Sequence, residues 1–320
     1  MNLNSMLEKC HRDQWKVGDL DWSRKPRDLS PEDEEAIVQY FTDMAGIERL
    51  AGALFEEQRR RETDPVLKEI FRTFVVDEVR HAQAAQMLAD FYNLRKIRLY
   101  EQSPGLRDFA PAFVEALRHF SPGIANAYVT GGELLLDIAL LRSLNDYVAD
   151  EMSDEVMQLI NRDESRHVAI DFHMVEYYAS DAYAARARER PRRSAAEEAR
   201  ALGAFAKMLY YARPFFLQVF HGPMEVVDPT HRRLAEAFKR VQLITRKEEV
   251  ANTTFVKFMS TARGLYQHPI ARRTIGPILE RIVGLNDELM RDLYTEEEER
   301  RARKMSFDEM AEEALDAKHH

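Results

Sequence analysis

The sequence is poor in cysteine, glycine and proline. Its 320 residues include one cysteine, 12 glycines and 12 prolines, whereas average use is about 7% glycine and 5% proline. The single cysteine, Cys10, excludes an intramolecular disulfide and fits a reducing cytoplasm. So few turn-forming residues favour long helices and argue against a β-sandwich or barrel, which needs a turn every ~8–12 residues.

A basic surface and long apolar runs are also missing. The net charge is −9 and the pI about 5.7, which argues against a general nucleic-acid-binding face. The N-terminal segment lacks the basic and apolar regions of a secretory signal. Charged residues interrupt the apolar stretches within about ten residues, short of the ~20 needed to cross a bilayer. We therefore expect a cytoplasmic protein with neither nucleic-acid nor membrane partners.

Turn signals divide the chain into helical stretches. Ser30-Pro31 followed by acidic residues predicts a helix start, and Ser153-Asp154 predicts another. No stretch shows sustained period-two alternation, so the sequence predicts an all-α fold. We expect helices over 31–62, 65–94, 109–119, 123–150, 154–180, 195–220, 229–263 and 270–303. The predicted divisions are an N-terminal arm (1–30), a four-helix bundle (31–182), additional helices packed on it (183–305) and a C-terminal tail (306–320).

One five-residue pattern occurs twice. Residues 77–81 and 163–167 both read Asp-Glu-x-Arg-His, and each copy lies inside a long predicted helix. Residues i and i+3 of a helix lie about 5–6 Å apart on one face, so the glutamate and histidine of each copy can bind one metal ion. Carboxylate and imidazole ligands without thiolates suit iron or manganese. A third Glu-x-x-His, at Glu8 and His11, lies in the N-terminal arm and is expected by chance.

A dinuclear site of this kind needs two further carboxylates on the partner helices. In an antiparallel hairpin, residues at one level are equally far from the turn. The turn near residue 63 places residue 48 opposite Glu78, and the turn near residue 149 places residue 134 opposite Glu164. Glu48 and Glu133 lie at these levels, about 15 residues or 22 Å from their turns. The two halves match at offsets of 85 and 86 residues, which indicates a weak internal duplication of a helix pair.

Other interpretations of these acidic residues remain open. Glu48 and Glu133 lie on apolar stripes, where an unpaired carboxylate is costly to bury. Glu56 and Glu57 compete with Glu48 but lie closer to the turn. Buried groups held in salt bridges would also explain charge on apolar faces, although not the repeated spacing.

Charged residues lie one position away from the candidate ligands in both copies. They are Asp77, Arg80, Asp163 and Arg166. They can hydrogen-bond across the bundle and fix the histidine tautomers, or each can form an ordinary ion pair on a helix surface. Asp137 and Asp171, each one turn beyond a candidate ligand, are weaker candidates for such a supporting role.

The pattern of four glutamates and two histidines resembles the ferritin-like diiron-carboxylate superfamily. There, two helices each supply a Glu and two others each supply a Glu-x-x-His. The resemblance implies a ferritin-like four-helix bundle whose six metal ligands are Glu48, Glu78, His81, Glu133, Glu164 and His167.

Two features of the sequence resemble different branches of that superfamily. The Asp-Glu-x-Arg-His form is similar to that of bacterial multicomponent monooxygenases and soluble acyl carrier protein desaturases. The length and the additional C-terminal helices are more similar to the p-aminobenzoate N-oxygenase family. That family has a seventh ligand, a histidine one turn before the last Glu-x-x-His. This sequence has Ile160 there, so we expect a six-ligand site.

The resemblance implies an O₂-dependent non-haem diiron oxygenase or oxidase. We expect two iron ions, or a manganese–iron pair, and a small organic substrate. An external electron donor of ferredoxin or reductase type is expected because the sequence has no Gly-x-Gly-x-x-Gly fingerprint. Hydroxylation, N-oxygenation and acyl desaturation all fit the resemblance. The alternatives are a ferroxidase or other metal-handling protein and a non-catalytic helical protein. We also expect a homodimer.

The aromatic-rich helix and a pair of glycines, both outside the two motif copies, each have two interpretations. The aromatic-rich helix over 205–220 can roof a substrate pocket, or it can pack as core or as a dimer interface. Gly131 and Gly132 can leave room beside the metals, or they can permit close helix packing. A cavity beside the metals favours an oxygenase, whereas a solid core favours a ferroxidase. His173, His221 and His231 are expected not to bind metal.

Overall fold

The protein is described by a computed structural model over residues 1–96, 100–189, 193–253, 256–257, 260 and 291–317. Helices make up 81% of the structure, and the described residues contain no strand. The predicted all-α class is therefore confirmed.

The helices of the described chain differ widely in length. A 3₁₀ turn at Val17–Asp19 follows the first helix, and π-helical segments continue the fifth and ninth at Leu135–Leu140 and Phe216–His221. The helices are α1 (Leu3–Arg12), α2 (Pro31–Arg61), α3 (Pro65–Tyr92), α4 (Pro104–Leu117), α5 (Pro122–Leu134), α6 (Leu141–Val148), α7 (Glu151–Ala179), α8 (Asp181–Arg188), α9 (Ala195–Phe215), α10 (Gly222–Val227), α11 (Arg232–Ile244), α12 (Glu248–Ala251), α13 (Glu296–Lys304) and α14 (Phe307–Ala317).

The first hairpin consists of α2 and α3. Ser30 caps α2, because its hydroxyl accepts the backbone N–H of Asp33 at 3.0 Å, as the sequence predicts. Asp64 caps α3 by accepting the N–H of Val66 at 2.8 Å. The short turn between the two helices folds them against each other along their length. Glu48 is therefore brought to the level of the first motif.

The second hairpin consists of the α5–α6 run and α7. Its turn contains Ala149, which takes a left-handed conformation with φ 47°. The prediction that Ser153 and Asp154 start the following helix is wrong, because α7 begins at Glu151. Asp150 caps it instead by accepting a backbone N–H with its side chain, so the helix begins three residues earlier than expected.

Several predicted boundaries outside these hairpins are also wrong. The helix expected at 109–119 begins at Pro104, and the one expected at 229–263 ends at Ile244. The break expected at 221–223 is absent, because the π-helical segment runs directly into α10. Pro223 has no backbone N–H to donate, yet it lies directly after the π-helical segment and the helical run continues through it to Val227.

The two ends of the described chain are more ordered than the sequence suggests. The predicted arm contains α1, which packs against α3. The predicted tail contains α14, which packs against α7 because Phe307 and Met310 bury their side chains on one face. The helix expected at 270–303 lies outside the described residues up to residue 290, and α13 covers its last part.

The two hairpins pack together around an apolar core. In the described chain, the run from Pro122 to Val148 is long and apolar enough to cross a membrane, although no such stretch is expected from the sequence. Of its most apolar window, 67% is buried inside the protein. Such burial fits a core helix.

Candidate metal centre

Four glutamates and two histidines from the two hairpins converge in the middle of the core. Their carboxylate oxygens and ring nitrogens form two overlapping groups, and within each group the atoms lie within 4.8 Å of one another. One group is Glu48, Glu78, His81 and Glu164; the other is Glu78, Glu133, Glu164 and His167. These are the six residues that the sequence predicts as ligands.

The two groups share the glutamates of the two motifs. Glu78 from α3 and Glu164 from α7 belong to both groups, and each group adds one histidine and one further glutamate. Glu78 and Glu164 would be shared by two metal ions, and each of the other four side chains would belong to one ion. Four carboxylates and two imidazoles are thus arranged in a way that could hold a pair of ions.

Both histidines turn the same ring atom toward the centre. The Nδ1 atom of His81 lies 3.0 Å from Glu164 Oε1, and the Nδ1 atom of His167 lies 3.0 Å from Glu164 Oε2. The opposite atom, Nε2, faces an aspartate of the other motif. For His81 this is Asp163 at 3.1 Å, and for His167 it is Asp77 at 3.4 Å. Each aspartate thereby fixes the orientation of the histidine across the core.

Two arginines lock this pair of aspartates together. Arg80 donates to Asp77 and, at 2.9 Å, to Asp163, while Arg166 donates to Asp163 at 2.6 Å. All four side chains are buried. The flanking residues therefore form a paired network across the core, rather than the ordinary surface ion pairs that the sequence leaves open.

The N-terminal arm supplies contacts that sequence reasoning missed. The indole Nε1 of Trp15 donates to Asp163 at 2.7 Å, and Gln14 donates to Asp77 at 3.2 Å. The Arg80 guanidinium lies over the Trp15 ring, 5.1 Å from its centroid. The arm thus covers the aspartate–arginine network from outside.

Buried carboxylate oxygens with few or no hydrogen-bond partners support the view that these residues can bind metal ions. Both side-chain oxygens of Glu48 lack a hydrogen-bond partner, as does Glu133 Oε2. The Oε1 atoms of Glu78 and Glu164 face only a histidine Nδ1, at 3.2 and 3.0 Å. None of the six side chains is more than 3% exposed. Buried carboxylates without partners are very costly, and a pair of cations would satisfy all of them at once.

The histidines are strongly basic without metal. Burial lowers the pKa of His81, but hydrogen bonds to Asp163 and Glu164 outweigh it and raise the pKa to about 10. Burial likewise lowers the pKa of His167, but the charge of Glu164 and the hydrogen bonds to Asp77 and Glu164 together outweigh it and raise the pKa to about 9. In the metal-free centre both imidazoles therefore hold a second proton, which a metal ion must displace.

The carboxyl groups divide into two kinds. Burial raises the pKa of Glu48 to about 7, and it raises those of Glu78 and Glu133 well above their usual value. Burial also acts on Glu164, but the two charged histidines outweigh it and hold its pKa well below the usual value. The metal-free centre thus keeps its charges balanced by protons.

Other candidate residues lie outside the centre. Glu56 and Glu57 are paired with arginines of their own helix. Glu8 and His11 are not buried, and His11 faces Glu69 at 3.8 Å. Asp137 and Asp171 are buried but do not belong to either ligand group within the described chain.

The aromatic-rich helix packs on another helix, and the glycine pair has open space around it. The ring of Phe215 stacks on Phe109 of α4 at 4.3 Å, so the aromatic-rich helix packs on α4. Gly132 is exposed, and a Cβ at Gly131 or Gly132 would meet no atom within 4 Å, so neither is needed for close packing. Two pockets found among the described residues border α13, and none of the six ligands lines them.

Comparison of the chain with protein-family models, with curated proteins and with solved structures gives no match. The function of the centre must therefore be argued from its own geometry and chemistry.

We expect Asp163→Asn to weaken metal binding roughly 10–100-fold, the usual effect of losing a partner of a metal-bound histidine. Burial raises the pKa of Asp163, but the hydrogen bond from His81 and the charge of Arg166 outweigh it and keep this carboxyl ionised. Titration of Mn(II) against a competing chelator measures the affinity. Asp43→Asn is the control, because Asp43 is also buried and hydrogen-bonded. Equal affinities in the two variants would contradict the assigned role.

Proposed function

We propose that this protein is an O₂-dependent non-haem diiron oxidoreductase with a ferritin-like four-helix bundle. The observation that carries the proposal is the pair of four-residue groups sharing Glu78 and Glu164. Carboxylate oxygens and imidazole nitrogens without thiolates form a donor set that suits iron, with a manganese–iron pair as the alternative. When bound, a pair of ferrous ions supplies electrons for the reduction of O₂.

The chain itself holds the ions in place and keeps water away. His81 and His167 would hold the ions through Nδ1, while the aspartates at their Nε2 atoms keep the rings from rotating. The rings of Phe55 and Phe74 pack on His167, with centroids 5.1 and 4.1 Å away. These apolar walls exclude solvent from one side of the centre.

The proposed substrate is a small organic molecule, oxidised by hydroxylation, N-oxygenation or desaturation with electrons from a ferredoxin or reductase. The helices beyond the bundle, α8 to α14, support an oxygenase because a metal-storage bundle needs only four helices. The position of a seventh ligand in N-oxygenases is occupied by the buried Ile160, so the proposed site has six ligands. A homodimer in the cytoplasm is part of the proposal.

A ferroxidase is the second candidate, and the closed packing of the ligands favours it. Glu48, Glu78 and the two histidines are fully buried, and the two pockets described above do not reach them. A ferroxidase oxidises Fe(II) itself and needs no space for an organic molecule beside the ions.

Anaerobic loading with Fe(II) followed by O₂ distinguishes the two candidates. With Fe(II) in large excess, the proposed oxygenase is expected to oxidise only the two ions bound per chain and then stop until a reductant is added. A ferroxidase would oxidise all the added Fe(II), at a rate proportional to protein concentration. Oxidation no faster than in a Glu78→Ala/Glu164→Ala control would contradict both. The measurements are O₂ consumption and the Fe(III) absorbance.

A further inference from the structure

Ions bound at a fully enclosed centre need a route from solvent. The described structure places an unused carboxylate next to the centre. Asp171 lies on α7 one turn beyond His167, and its side chain is 0% exposed. Neither of its side-chain oxygens has a hydrogen-bond partner. Such a group is costly to bury and does nothing for the packing of the core.

Polar side chains continue from Asp171 toward one end of the two hairpins. Asn126 donates to the backbone oxygen of Asp171 at 3.2 Å and to the hydroxyl of Thr130 at 3.3 Å. Gln58 donates to Asn126 Oδ1 at 2.9 Å, and its own Oε1 has no partner. All of these side chains are at least nine-tenths buried. They form a polar column of Asp171, Asn126 and Gln58, with Thr130 beside Asn126, among the apolar side chains of the core.

The polar column spans the distance between the centre and the α2–α3 turn. Thr130 is one turn before Glu133 on α5, and Asn126 is one further turn away, about 10 Å from the level of Glu133. Gln58 lies three residues, or about 5 Å, before the end of α2 at Arg61, and Thr63, in the turn that follows, is exposed.

Two buried acids toward the opposite end of the hairpins have structural partners. Asp43 accepts the N–H of Ser103 at 2.7 Å and an amide hydrogen of Gln39 at 2.9 Å. Glu34 accepts the N–H of Arg95 at 2.7 Å and pairs with its guanidinium. These acids are satisfied by structural partners, whereas Asp171 is not.

We propose that the polar column is the route by which divalent cations reach the dinuclear centre, with Asp171 as the transit ligand that passes each ion to Glu133 and His167. The proposal rests on the metal-binding part of the proposed function. An unpartnered carboxylate offers a cation two oxygens at a point where the surrounding core offers none. Gln58 and Asn126 add neutral oxygens that replace water around the moving ion without holding it.

The test is the rate of metal uptake by the metal-free protein. In a Trp22→Phe background, the fluorescence of Trp15 reports the centre, because its indole is hydrogen-bonded to Asp163. Anaerobic Fe(II) or Mn(II) is mixed in a stopped-flow instrument, and bound metal is counted after equilibration. We expect Asp171→Asn to slow uptake by roughly tenfold or more, since a carboxyl group can release its proton to a cation and bind it with two oxygens, whereas an amide offers one neutral oxygen. The final count of two ions per chain should not change.

Two further variants complete the test. Gln58→Met keeps the side-chain volume while removing the amide, and we expect it to slow uptake as well. Asp43→Asn, a buried acid about as far from a ligand along its helix, is expected to load at the wild-type rate. Wild-type rates in both Asp171→Asn and Gln58→Met would overturn the route. A lower final count in Asp171→Asn would show that Asp171 holds an ion permanently, which also overturns it. Failure of the wild-type protein to bind metal would instead refute the proposed function.

Discussion

Replacing Glu164 by alanine is expected to empty both metal positions, lowering the content from about two ions per chain to about zero. Glu164 belongs to both four-residue groups, so its loss removes one ligand from each ion. It also removes the carboxylate that faces both Nδ1 atoms at 3.0 Å. Glu78→Ala should have the same effect, because Glu78 is the other shared residue.

The unshared glutamates should behave differently. Glu48 belongs only to the group with His81, and Glu133 only to the group with His167. We therefore expect Glu48→Ala or Glu133→Ala to leave about one ion per chain. Elemental analysis after reconstitution with iron and with manganese measures the content. This difference between shared and unshared ligands is specific to a dinuclear centre.

Glu57→Ala is the control for these variants. Glu57 lies on the same helix as Glu48, and its carboxylate pairs with Arg61 near the turn. It should retain both ions. Two ions in the Glu164→Ala protein, or equal losses from shared and unshared variants, would show that the six residues do not bind metal as two overlapping groups.

The position of the six residues could be predicted because helix geometry is regular. The rise of 1.5 Å per residue is the same in all four long helices, so distance from a turn gives the level of a side chain. The i, i+3 spacing fixes which residues share a face. Glu48 could therefore be placed opposite Glu78 from the position of the α2–α3 turn alone.

In the second hairpin, the residue expected opposite Glu164 is 134, one residue away from Glu133, and the structure explains this difference. The spacing from Glu133 to Glu164 is 31 residues, compared with 30 from Glu48 to Glu78. The π-helical segment Leu135–Leu140 lies between Glu133 and the turn. A π-helical turn takes up one residue more than an α-helical turn, so the additional residue does not move Glu133 away from Glu164. The helix propensities of the residues do not reveal a π-helical segment.

The contacts of the N-terminal arm could not be predicted. Trp15 reaches Asp163 across 148 residues of sequence, and no periodic spacing connects them. Helical patterns describe the faces of one element and its neighbour across a turn, but they do not specify where a distant segment packs. The arm's tryptophan and glutamine were the available signals, since both can donate hydrogen bonds to buried acids.

Removing the metal is expected to lower the melting temperature of the protein by roughly 10–20 °C. Each of two tightly bound ions adds roughly 4 kcal/mol to the free energy of unfolding at a free concentration a thousandfold above its dissociation constant. Without them, the carboxyls of Glu48, Glu78 and Glu133 stay buried with raised pKa values. The metal-free core therefore contains polar groups whose desolvation nothing offsets.

Thermal unfolding of chelator-treated and reconstituted protein measures this difference, and a double variant shows its cause. Glu78→Gln/Glu164→Gln keeps the shape of both shared side chains but removes the carboxyl groups that would bind metal. Its melting temperature should not respond to added metal, because neither four-residue group retains its shared carboxylates. Its metal-free form should unfold below the temperature of the metal-free wild type, because Gln at position 164 no longer balances the charges of His81 and His167. If the wild type unfolded at the same temperature with and without metal, the unpartnered oxygens at the centre would need another explanation.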